Sequence, residues 1–438
     1  MLKRLLPLAA CSVLAAVPAY AGNGHFLHGV GAVNSSLGGA GTGLAFETIG
    51  ALHANPALLT QLTDNNVAIS AEVFSDDLSA TTSGGGLPTE VNHSNGQLGI
   101  LPAIGWSIHR PGKNYAFGFG LLAVAGFRTN FPVDNASLLN AGQPPGFGRL
   151  ATDLAVTKIP LAFAWQATPK LSLGLSLDLF QGALIIQPLP VVVPDCTDPT
   201  IPPFLQPAAC YRPGTSGQVT SYAVTPQAGF YYQLNPVWSV GASYTVKQSF
   251  PEYRWNSAHA NPFITSGPNA FGNPRKIGIV IDGPPIASFG IGIQPNPKLK
   301  IAVDARWVGY HSTAGIGGSG GINQNLQLVS IGWQDIWVGM AGVQWQATPK
   351  LTLRAGLNFN QSPIKSALTL NSGGTPSVFE QHYCLGASVA LLPHFDVDLG
   401  FYYTPSNSKT GPFIGVPGAS ITLTNSITSG LAGFSFHF

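Results

Sequence analysis

The segment Trp165-Gln-Ala-Thr-Pro-Lys170 runs directly into Leu171-Ser-Leu-Gly-Leu-Ser-Leu-Asp-Leu179, and its six residues recur letter for letter as Trp345-Gln-Ala-Thr-Pro-Lys350. Each copy separates two segments in which apolar and polar residues alternate. Proline fixes φ near the value that a tight turn needs and lacks an N–H, so the repeat predicts a turn between two β-strands. Four similar short turns lie at Arg110–Lys113, Asn235–Val237, Asn296–Lys298 and Pro393–Phe395. The sequence therefore predicts six β-hairpins.

The segments after these turns have two different faces. In Leu171–Leu179 five leucines share one face, while Ser172, Gly174, Ser176 and Asp178 share the other. A period of two is the signal for a strand whose faces meet different surroundings. The same alternation follows three other turns, in 300–307, 351–360 and 395–403. In each segment the charged side chains lie on one face only.

Composition decides what the two faces contact. Only 9% of the chain is Asp, Glu, Lys or Arg, whereas soluble domains carry about 25%. A soluble β-sandwich also alternates, but it places charge on its outer surface. A transmembrane barrel places apolar residues toward lipid and polar residues toward the lumen. We therefore predict an all-β fold, a transmembrane antiparallel barrel.

The number of strands follows from the hairpins. Six hairpins supply twelve strands, Val67–Phe74 supplies one before them, and the C-terminal segment supplies one after them. An even number with both ends on the periplasmic side is what single-chain barrels of this kind require. We predict fourteen strands in residues 65–438, with long extracellular loops opposite the short turns. The predicted loops are 77–95, about 128–155, about 181–220 and about 248–283.

The N-terminus carries the pattern of a secretory signal peptide. Lys3 and Arg4 form a basic region, Leu5–Val17 is apolar, and Ala19-Tyr-Ala21 is a small-x-small cleavage site. We predict that residues 1–21 are a signal peptide cleaved near Ala21. Leu8-Ala-Ala-Cys11 is an alternative lipoprotein box with a very short apolar region before it. The sequence has no later run of about 18 apolar residues that could form a transmembrane helix.

The last strand alternates as Phe434, Phe436 and Phe438, and a terminal aromatic residue is similar to the assembly signal of bacterial outer-membrane proteins. We expect Phe438 to bind the barrel assembly machinery. The predicted location is the outer membrane of a Gram-negative bacterium, in contact with its lipid and lipopolysaccharide.

Two cysteines lie fourteen residues apart in the longest predicted loop. In an exported chain Cys196 and Cys210 most economically form a disulfide that restricts the loop. A metal pair is the alternative, but no His or acidic cluster completes it, so we predict no metal site. Cys384 is expected to be a small apolar residue within a strand.

Residues 22–64 do not fit a strand. A Gly-rich stretch after the signal peptide leads to Leu37-Gly-Gly-Ala-Gly41 and then to Asn55-Pro56-Ala57, directly before the first barrel strand. Together with the fourteen-strand layout, these features resemble the FadL-type outer-membrane transporters of long-chain fatty acids and aromatic hydrocarbons. The chain departs from a common form of that family in having Leu58, where a glycine often follows the triplet.

The resemblance implies a function and a route. Residues 22–64 would form a small, partly helical hatch inside the barrel, with Asn55, Pro56 and Ala57 near an opening in its wall. A hydrophobic molecule would be captured among the outer loops, reach a pocket beside the hatch, and leave sideways at a kinked strand. Gly118 and Gly120 lie where such a kink is expected, since glycine marks bends in strands. Alternatively, these two glycines only relieve crowding inside the barrel.

Candidate substrate contacts come from the hatch and from the lumen. Apolar residues of the hatch expected to line the pocket are Phe26, Leu27, Phe46 and Leu52. A carboxylate head group would need a cation, and the lumen-facing positions offer Lys247, Lys300, Arg306 and Arg354. Each cation could instead pair with a neighbour such as Asp178, Asp304 or Asp398.

Other functions fit the sequence less well. No Gly-x-Ser-x-Gly or His-Glu-x-x-His occurs and the ten histidines are scattered, so an enzyme is not predicted and no cofactor is expected. A net charge of +2 gives no reason to expect nucleic acid as a partner. We predict a monomeric, passive importer of hydrophobic compounds, most simply long-chain fatty acids. The alternatives are an importer of monoaromatic hydrocarbons and, in another class, a general diffusion porin.

Overall fold

The structure is a computed structural model that describes residues 22–62, 65–96, 98–110, 112–143, 146–198, 200–201, 203, 206–215 and 217–438. The predicted signal peptide, 1–21, lies outside the described residues. No helix of the described chain is both long enough and apolar enough to cross a membrane.

Fourteen antiparallel strands of the described chain close into one barrel. They are β1 (Asn66–Gly84), β2 (Gly99–Ile108), β3 (Tyr115–Phe131), β4 (Leu150–Thr168), β5 (Leu171–Gln187), β6 (Val219–Gln233), β7 (Trp238–Thr245), β8 (Ile286–Asn296), β9 (Leu299–Val308), β10 (Ile336–Thr348), β11 (Leu351–Asn360), β12 (Gln381–Leu392), β13 (Phe395–Pro412) and β14 (Ala419–His437). Each strand pairs with its neighbours in sequence, and β1 closes the barrel by pairing with both β2 and β14. The predicted fold and strand number are confirmed.

Burial in the strands is the reverse of that in a soluble protein. Leu175 and Leu177 of β5 are 63% and 54% exposed, whereas Ser176 and Asp178 between and beside them are 4% and 0% exposed. Leucines that face lipid stay out of water, and polar side chains that face the lumen find hydrogen-bond partners there. This inversion is why the alternating pattern identified a membrane barrel.

The strands extend further than the sequence predicted. β1, β3 and β5 continue to Gly84, Phe131 and Gln187, so the predicted loops 77–95, about 128–155 and about 181–220 begin inside strands. Two further long loops, 309–335 and 361–380, are absent from the prediction. Their Gly-rich and Ser-rich residues show no clear boundary with the adjacent strands in the sequence.

The N-terminal residues form two short α-helices and a 3-10 helix within the barrel. Helix α1 spans Gly31–Ser36, α2 spans Thr48–Ala54, and the 3-10 helix spans Pro56–Gln61. The Glu47 carboxylate accepts hydrogen bonds from the first backbone N–H groups of α2, and Asn55 caps the 3-10 helix, which begins at a proline. All six residues of α1 are buried. We refer to residues 22–62 as the hatch.

Hydrogen bonds from many strands hold the hatch in place. The Asp304 carboxylate of β9 accepts from the backbone N–H groups of Gly41 and Thr42 at 2.8 and 2.7 Å. The Ser70 hydroxyl of β1 accepts from Ala32 N at 3.0 Å, and the Asn358 amide of β11 donates to Gly38 O at 3.0 Å. Because these contacts come from opposite parts of the wall, the hatch bridges the lumen.

Two glycines let the end of the hatch approach the wall. A Cβ on Gly174 of β5 would lie 2.2 Å from Ala57 N, and one on Gly229 of β6 would lie 2.0 Å from the side-chain oxygen of Asn55. A larger residue would have to displace the hatch backbone at Gly174 and the side chains of Asn55 and Pro56 at Gly229. The Asn55 amide itself donates to Phe230 O and to Thr42 O, each at 2.9 Å. Asn55 therefore joins two parts of the hatch to β6.

The long loops cover the end of the barrel opposite the short turns. Cys196 and Cys210 are joined by a disulfide. In the loop between β7 and β8, the strands Tyr253–Ala258 and Pro274–Ile279 form an antiparallel hairpin, which we call the loop hairpin. Its inner face, including Trp255 and Ile277, is buried against the core.

Candidate functional site

An inner cavity of about 30 Å³ lies beside the hatch, among β4, β6, β7, β8 and β9. Lys158 and Arg306 line it together with Phe26 and His53 of the hatch. Burial, followed by the positive charges of Arg306 and Lys158, lowers the pKa of His53 well below its usual value, so its ring is neutral. The cavity thus presents two cations, of which Lys158 is paired with Asp178 at 2.8 Å.

Three polar side chains of the cavity hold the end of helix α2. Helices leave their last four carbonyl groups without internal partners. The ammonium of Lys158 donates to Leu52 O at 3.2 Å, the Gln227 amide to His53 O at 3.3 Å, and the Ser243 hydroxyl to Ala54 O at 2.6 Å. We call this set, Lys158, Gln227 and Ser243, the clasp. Because all three residues also line the cavity, whatever occupies the cavity contacts the groups that hold the hatch.

A larger outer cavity of about 100 Å³ lies under the loops, and its lining is predominantly apolar. Phe127 and Ile186 contribute from the outer ends of β3 and β5, Ile279 from the loop hairpin, and Ile316 and Leu328 from the loop 309–335. Asn371 and Thr375 supply polar groups from the loop 361–380. A mostly apolar cavity with few polar groups is the usual form of a small-molecule site.

Arg212 is the cation of the outer cavity. Its guanidinium lies over the Phe147 ring, 5.1 Å from the centroid, and donates to Pro190 O at 3.5 Å. No acidic side chain among the described residues forms an ion pair with it, although five other Lys or Arg side chains there do. Burial lowers the pKa of Arg212 to about 10, so it remains positively charged at neutral pH.

The barrel wall is incomplete between β2 and β3. Pairing of these strands ends at Ala103 and Leu122, while β3 continues to Phe131 with β4 as its only paired barrel strand within the described residues. A register shift lies between Ala123 and Ala125. Here the hatch supplies the missing partner, since Leu27 N donates to Val124 O at 2.9 Å and Gly126 N donates to His25 O at 2.7 Å.

The register shift of β3 at Ala123–Ala125 lies beyond Gly118 and Gly120, where the sequence predicted a kink. These glycines fit the alternative reading, because a Cβ on Gly118 would lie 2.8 Å from the Leu52 side chain and one on Gly120 would lie 2.4 Å from Ile104 O. Asn55, Pro56 and Ala57 also contact β5 and β6 rather than this gap, which is met by His25, Phe26 and Leu27.

The predicted lining residues divide into two groups. Phe26 lines the inner cavity. Leu27 and Leu52 are buried in the packing of the hatch, and Phe46 lies beside Lys300, whose ammonium is 5.7 Å from the ring centroid. Only Phe26 of the four therefore faces either of the two cavities.

The four predicted head-group cations also divide into one that lines a cavity and three that do not. Arg306 lines the inner cavity and donates to the Ser288 hydroxyl at 3.2 Å. Lys247 pairs with Asp282 at 3.0 Å, Lys300 donates to Ala45 O at 3.0 Å, and Arg354 donates to the side chains of Gln344 and Ser388. These three cations already have protein partners.

Sequence reasoning missed Lys158 and Arg212. Lys158 lies in β4 on the same face as the small residues Ala162 and Ala164, and the alternation of that segment was a usable signal. Arg212 lies in a loop without periodicity, so no local pattern distinguished it. Among the described residues, no group of three or more His, Cys, Asp or Glu side chains could hold a metal ion.

Comparisons with solved structures show the same fold. The chain is similar to a Pseudomonas aeruginosa FadL homologue (TM-score 0.74, 14% identity, 94% of this chain and 100% of the other). It is also similar to the Ralstonia pickettii toluene transporter TbuX (0.67, 19%, 94% and 99%) and the Pseudomonas putida toluene transporter TodX (0.69, 18%, 95% and 100%). No curated protein sequence matches the chain.

A family model settles the relationship that the structures suggest. The model of the outer membrane protein transport proteins (OMPP1/FadL/TodX) matches residues 13–411. Its members are transport proteins rather than enzymes, in agreement with the prediction from sequence. The chain therefore belongs to the OMPP1/FadL/TodX family of outer-membrane transporters of hydrophobic compounds.

Proposed function

We propose that the protein imports long-chain fatty acids passively across the outer membrane. The observation that carries this proposal is Arg212, a partly buried cation without an ion-pair partner among the described residues, in a cavity whose lining is predominantly apolar. A buried charge is costly unless it is paired. A fatty acid would supply the missing carboxylate, and its chain would contact the apolar lining.

Monoaromatic hydrocarbons are the second candidate. Toluene carries no charge, so it would leave Arg212 without an acidic partner and would gain only from the apolar lining. The benzene ring would still fit beside Phe147 and Ile186, which is why transport of both substrates has to be measured together. A general porin is less suitable because the hatch bridges the lumen.

The inner cavity is the proposed second station on the route. Its two cations, Lys158 and Arg306, suit a carboxylate head group. However, its volume of about 30 Å³ is far below the roughly 300–1,000 Å³ of typical ligand pockets, and the outer cavity, at about 100 Å³, must also widen to take a whole fatty acid. A fatty acid therefore enters the inner cavity only if its lining moves. The head group would replace the contacts that the clasp makes with the end of α2.

The proposed exit is the gap between β2 and β3. On the side of β3 away from β4, hatch residues 25–27 pair with β3 at the register shift, and Asn95 N donates to Asn130 O further out. Displacement of the hatch segment would therefore open part of the wall toward lipid. Release into the membrane suits a hydrophobic molecule, which avoids water throughout. We also propose that residues 1–21 are a cleaved signal peptide, that Phe438 contacts the barrel assembly machinery, and that the protein is a monomer.

The test is uptake in a bacterial host that lacks its own fatty-acid importer. Labelled oleate and labelled toluene are supplied side by side, and heat-dependent gel mobility verifies that the barrel has inserted. We expect oleate uptake well above the empty-vector control. Uptake of toluene alone would replace the proposal with an aromatic importer, and uptake of small sugars alone would replace it with a porin.

A further inference from the structure

The tip of the loop hairpin is an uncharged, apolar surface. Residues 259–273 connect its two strands, and after His259 the stretch 260–273 contains no Asp, Glu, Lys, Arg or His. Phe263 and Phe271 within this tip are 69% and 60% exposed. Exposed aromatic side chains on one short segment often mark a contact surface.

A rigid frame holds these rings in the exposed position. Phe271 N donates to Ile264 O at 2.7 Å, and Ile264 N donates to Asn261 O at 3.2 Å. The buried Asn261 amide donates to Asp195 O at 2.9 Å and to Ala209 O at 3.0 Å, which ties the tip to the disulfide-bonded loop. The phenylalanines are therefore held away from the core by a built structure.

The absence of charge is confined to the tip. Along the strands of the same hairpin, Arg254 and Lys276 are exposed on the outer face, while Trp255 and Ile277 are buried on the inner face. Next to the tip, Asp195 pairs with His259 at 2.8 Å and with Arg275 at 2.9 Å. Charged residues thus surround the tip, and the tip itself presents only neutral groups.

The tip is continuous with the outer cavity. The rings of Phe263 and Tyr211 lie 6.1 Å apart, and the next residue, Arg212, lies over Phe147 at the cavity wall. A chain of aromatic contacts therefore leads from the exposed end of the loop hairpin to the unpaired cation.

We propose that residues 260–273 insert into the surface of an external lipid phase, such as a vesicle or an emulsion droplet. Aromatic side chains favour the boundary between water and hydrocarbon, where their rings leave water. Because the tip itself is neutral, its own attraction to lipid is apolar and should depend little on lipid charge or salt. The tip thus brings the outer cavity to a reservoir of hydrophobic molecules.

Flotation with lipid vesicles tests the contact directly. The full-length protein in nanodiscs is mixed with phosphatidylcholine vesicles, and the fraction that floats is compared between wild type and Phe263→Ser/Phe271→Ser. We expect at least a fivefold loss in the double variant and no change between low and high salt. Val329→Ser is the matched control, because Val329 is 58% exposed on another loop and should float as wild type.

Three results would overturn the proposal: wild type that does not float, a double variant that floats equally well, and flotation that requires anionic lipid. Association of nanodiscs with each other through Phe263 and Phe271, without vesicles, would instead identify the tip as an interface between copies of this chain. Heat-dependent gel mobility verifies that each variant contains an intact barrel.

The role of the tip in supply rests on the proposed function and is measured separately. Labelled oleate is delivered to cells either in vesicles or bound to albumin. Uptake by the double variant should be about threefold lower than that of wild type from vesicles and unchanged from albumin. Equal loss from both sources would overturn the role in supply. If wild type takes up oleate from neither source, the proposed function fails, while flotation still decides what the tip binds.

Discussion

The outer and inner cavities differ in what their polar groups already contact. In the outer cavity Arg212 has an aromatic ring and one long hydrogen bond to a carbonyl group, and the remaining lining is largely apolar. In the inner cavity Lys158 is bonded to Asp178, Gln227 and Leu52 O, so the site is occupied by the protein itself. On the proposed route, a ligand would meet an unpaired cation in the outer cavity, whereas it would have to displace protein contacts in the inner cavity.

The largest expected effect comes from fixing the hatch. The hydroxyl groups of Thr48 in α2 and Ser107 in β2 lie 2.9 Å apart, so Thr48→Cys/Ser107→Cys would place two sulfur atoms within reach of a disulfide. We expect oxidation of this pair to reduce oleate uptake at least tenfold and reductant to restore it. Each single variant is a control, as is wild type with reductant, which accounts for Cys196–Cys210. Unchanged uptake by the oxidised pair would show that transport does not require α2 to move away from β2.

The second effect concerns the outer cavity. Arg212→Gln removes the charge and keeps a shorter side chain with an N–H donor, which leaves an incoming carboxylate with a neutral partner. A hydrogen bond to a charged group contributes about 1.5–3 kcal/mol, so we expect the concentration of oleate that gives half-maximal uptake to rise about tenfold or more. Toluene uptake and the maximal rate for oleate serve as internal controls. An equal loss for both substrates would indicate damage to the cavity rather than loss of a head-group contact.

A smaller effect is expected from weakening the clasp. Ser243→Ala removes the hydrogen bond to Ala54 O, and one such bond contributes about 0.5–1.5 kcal/mol. The amides of α2 should then exchange with deuterium about two- to tenfold faster, as measured by mass spectrometry of the purified protein. Ser239→Ala, which removes a bond to Gly43 O elsewhere in the hatch, is the matched control. Exchange in α2 that is no faster than in this control would show that the clasp does not limit opening.

The smallest effect is a pH dependence that should be nearly absent. Burial lowers the pKa of Arg212 to about 10, so its charge is retained below that value and lost as the pH rises through it. Binding of oleate to the purified protein should therefore be constant between pH 7 and 9 and fall above about pH 10. A decline that begins near neutral pH would assign the head group to a different residue.

The sequence predicted the barrel better than the site because the two depend on different information. Alternation in segments such as Leu171–Leu179 reflects the local environment of each strand, which is uniform along the lipid-facing wall. The contacts of Lys158 or Asn55 depend on which distant strands lie beside the hatch, and no local pattern encodes that. For a related reason the sequence did not distinguish a kink from crowding at Gly118 and Gly120, because their close contacts with Leu52 and Ile104 form only in the folded barrel.

The position of Asn66 ties the hatch to the barrel. This first residue of β1 faces His437 on one side and Ser107 on the other, and only residues 63–65 separate it from the hatch. Three residues span at most about 11 Å, so a hatch that left the lumen would stay tethered beside the wall. Its return would then be an intramolecular step whose rate does not depend on protein concentration.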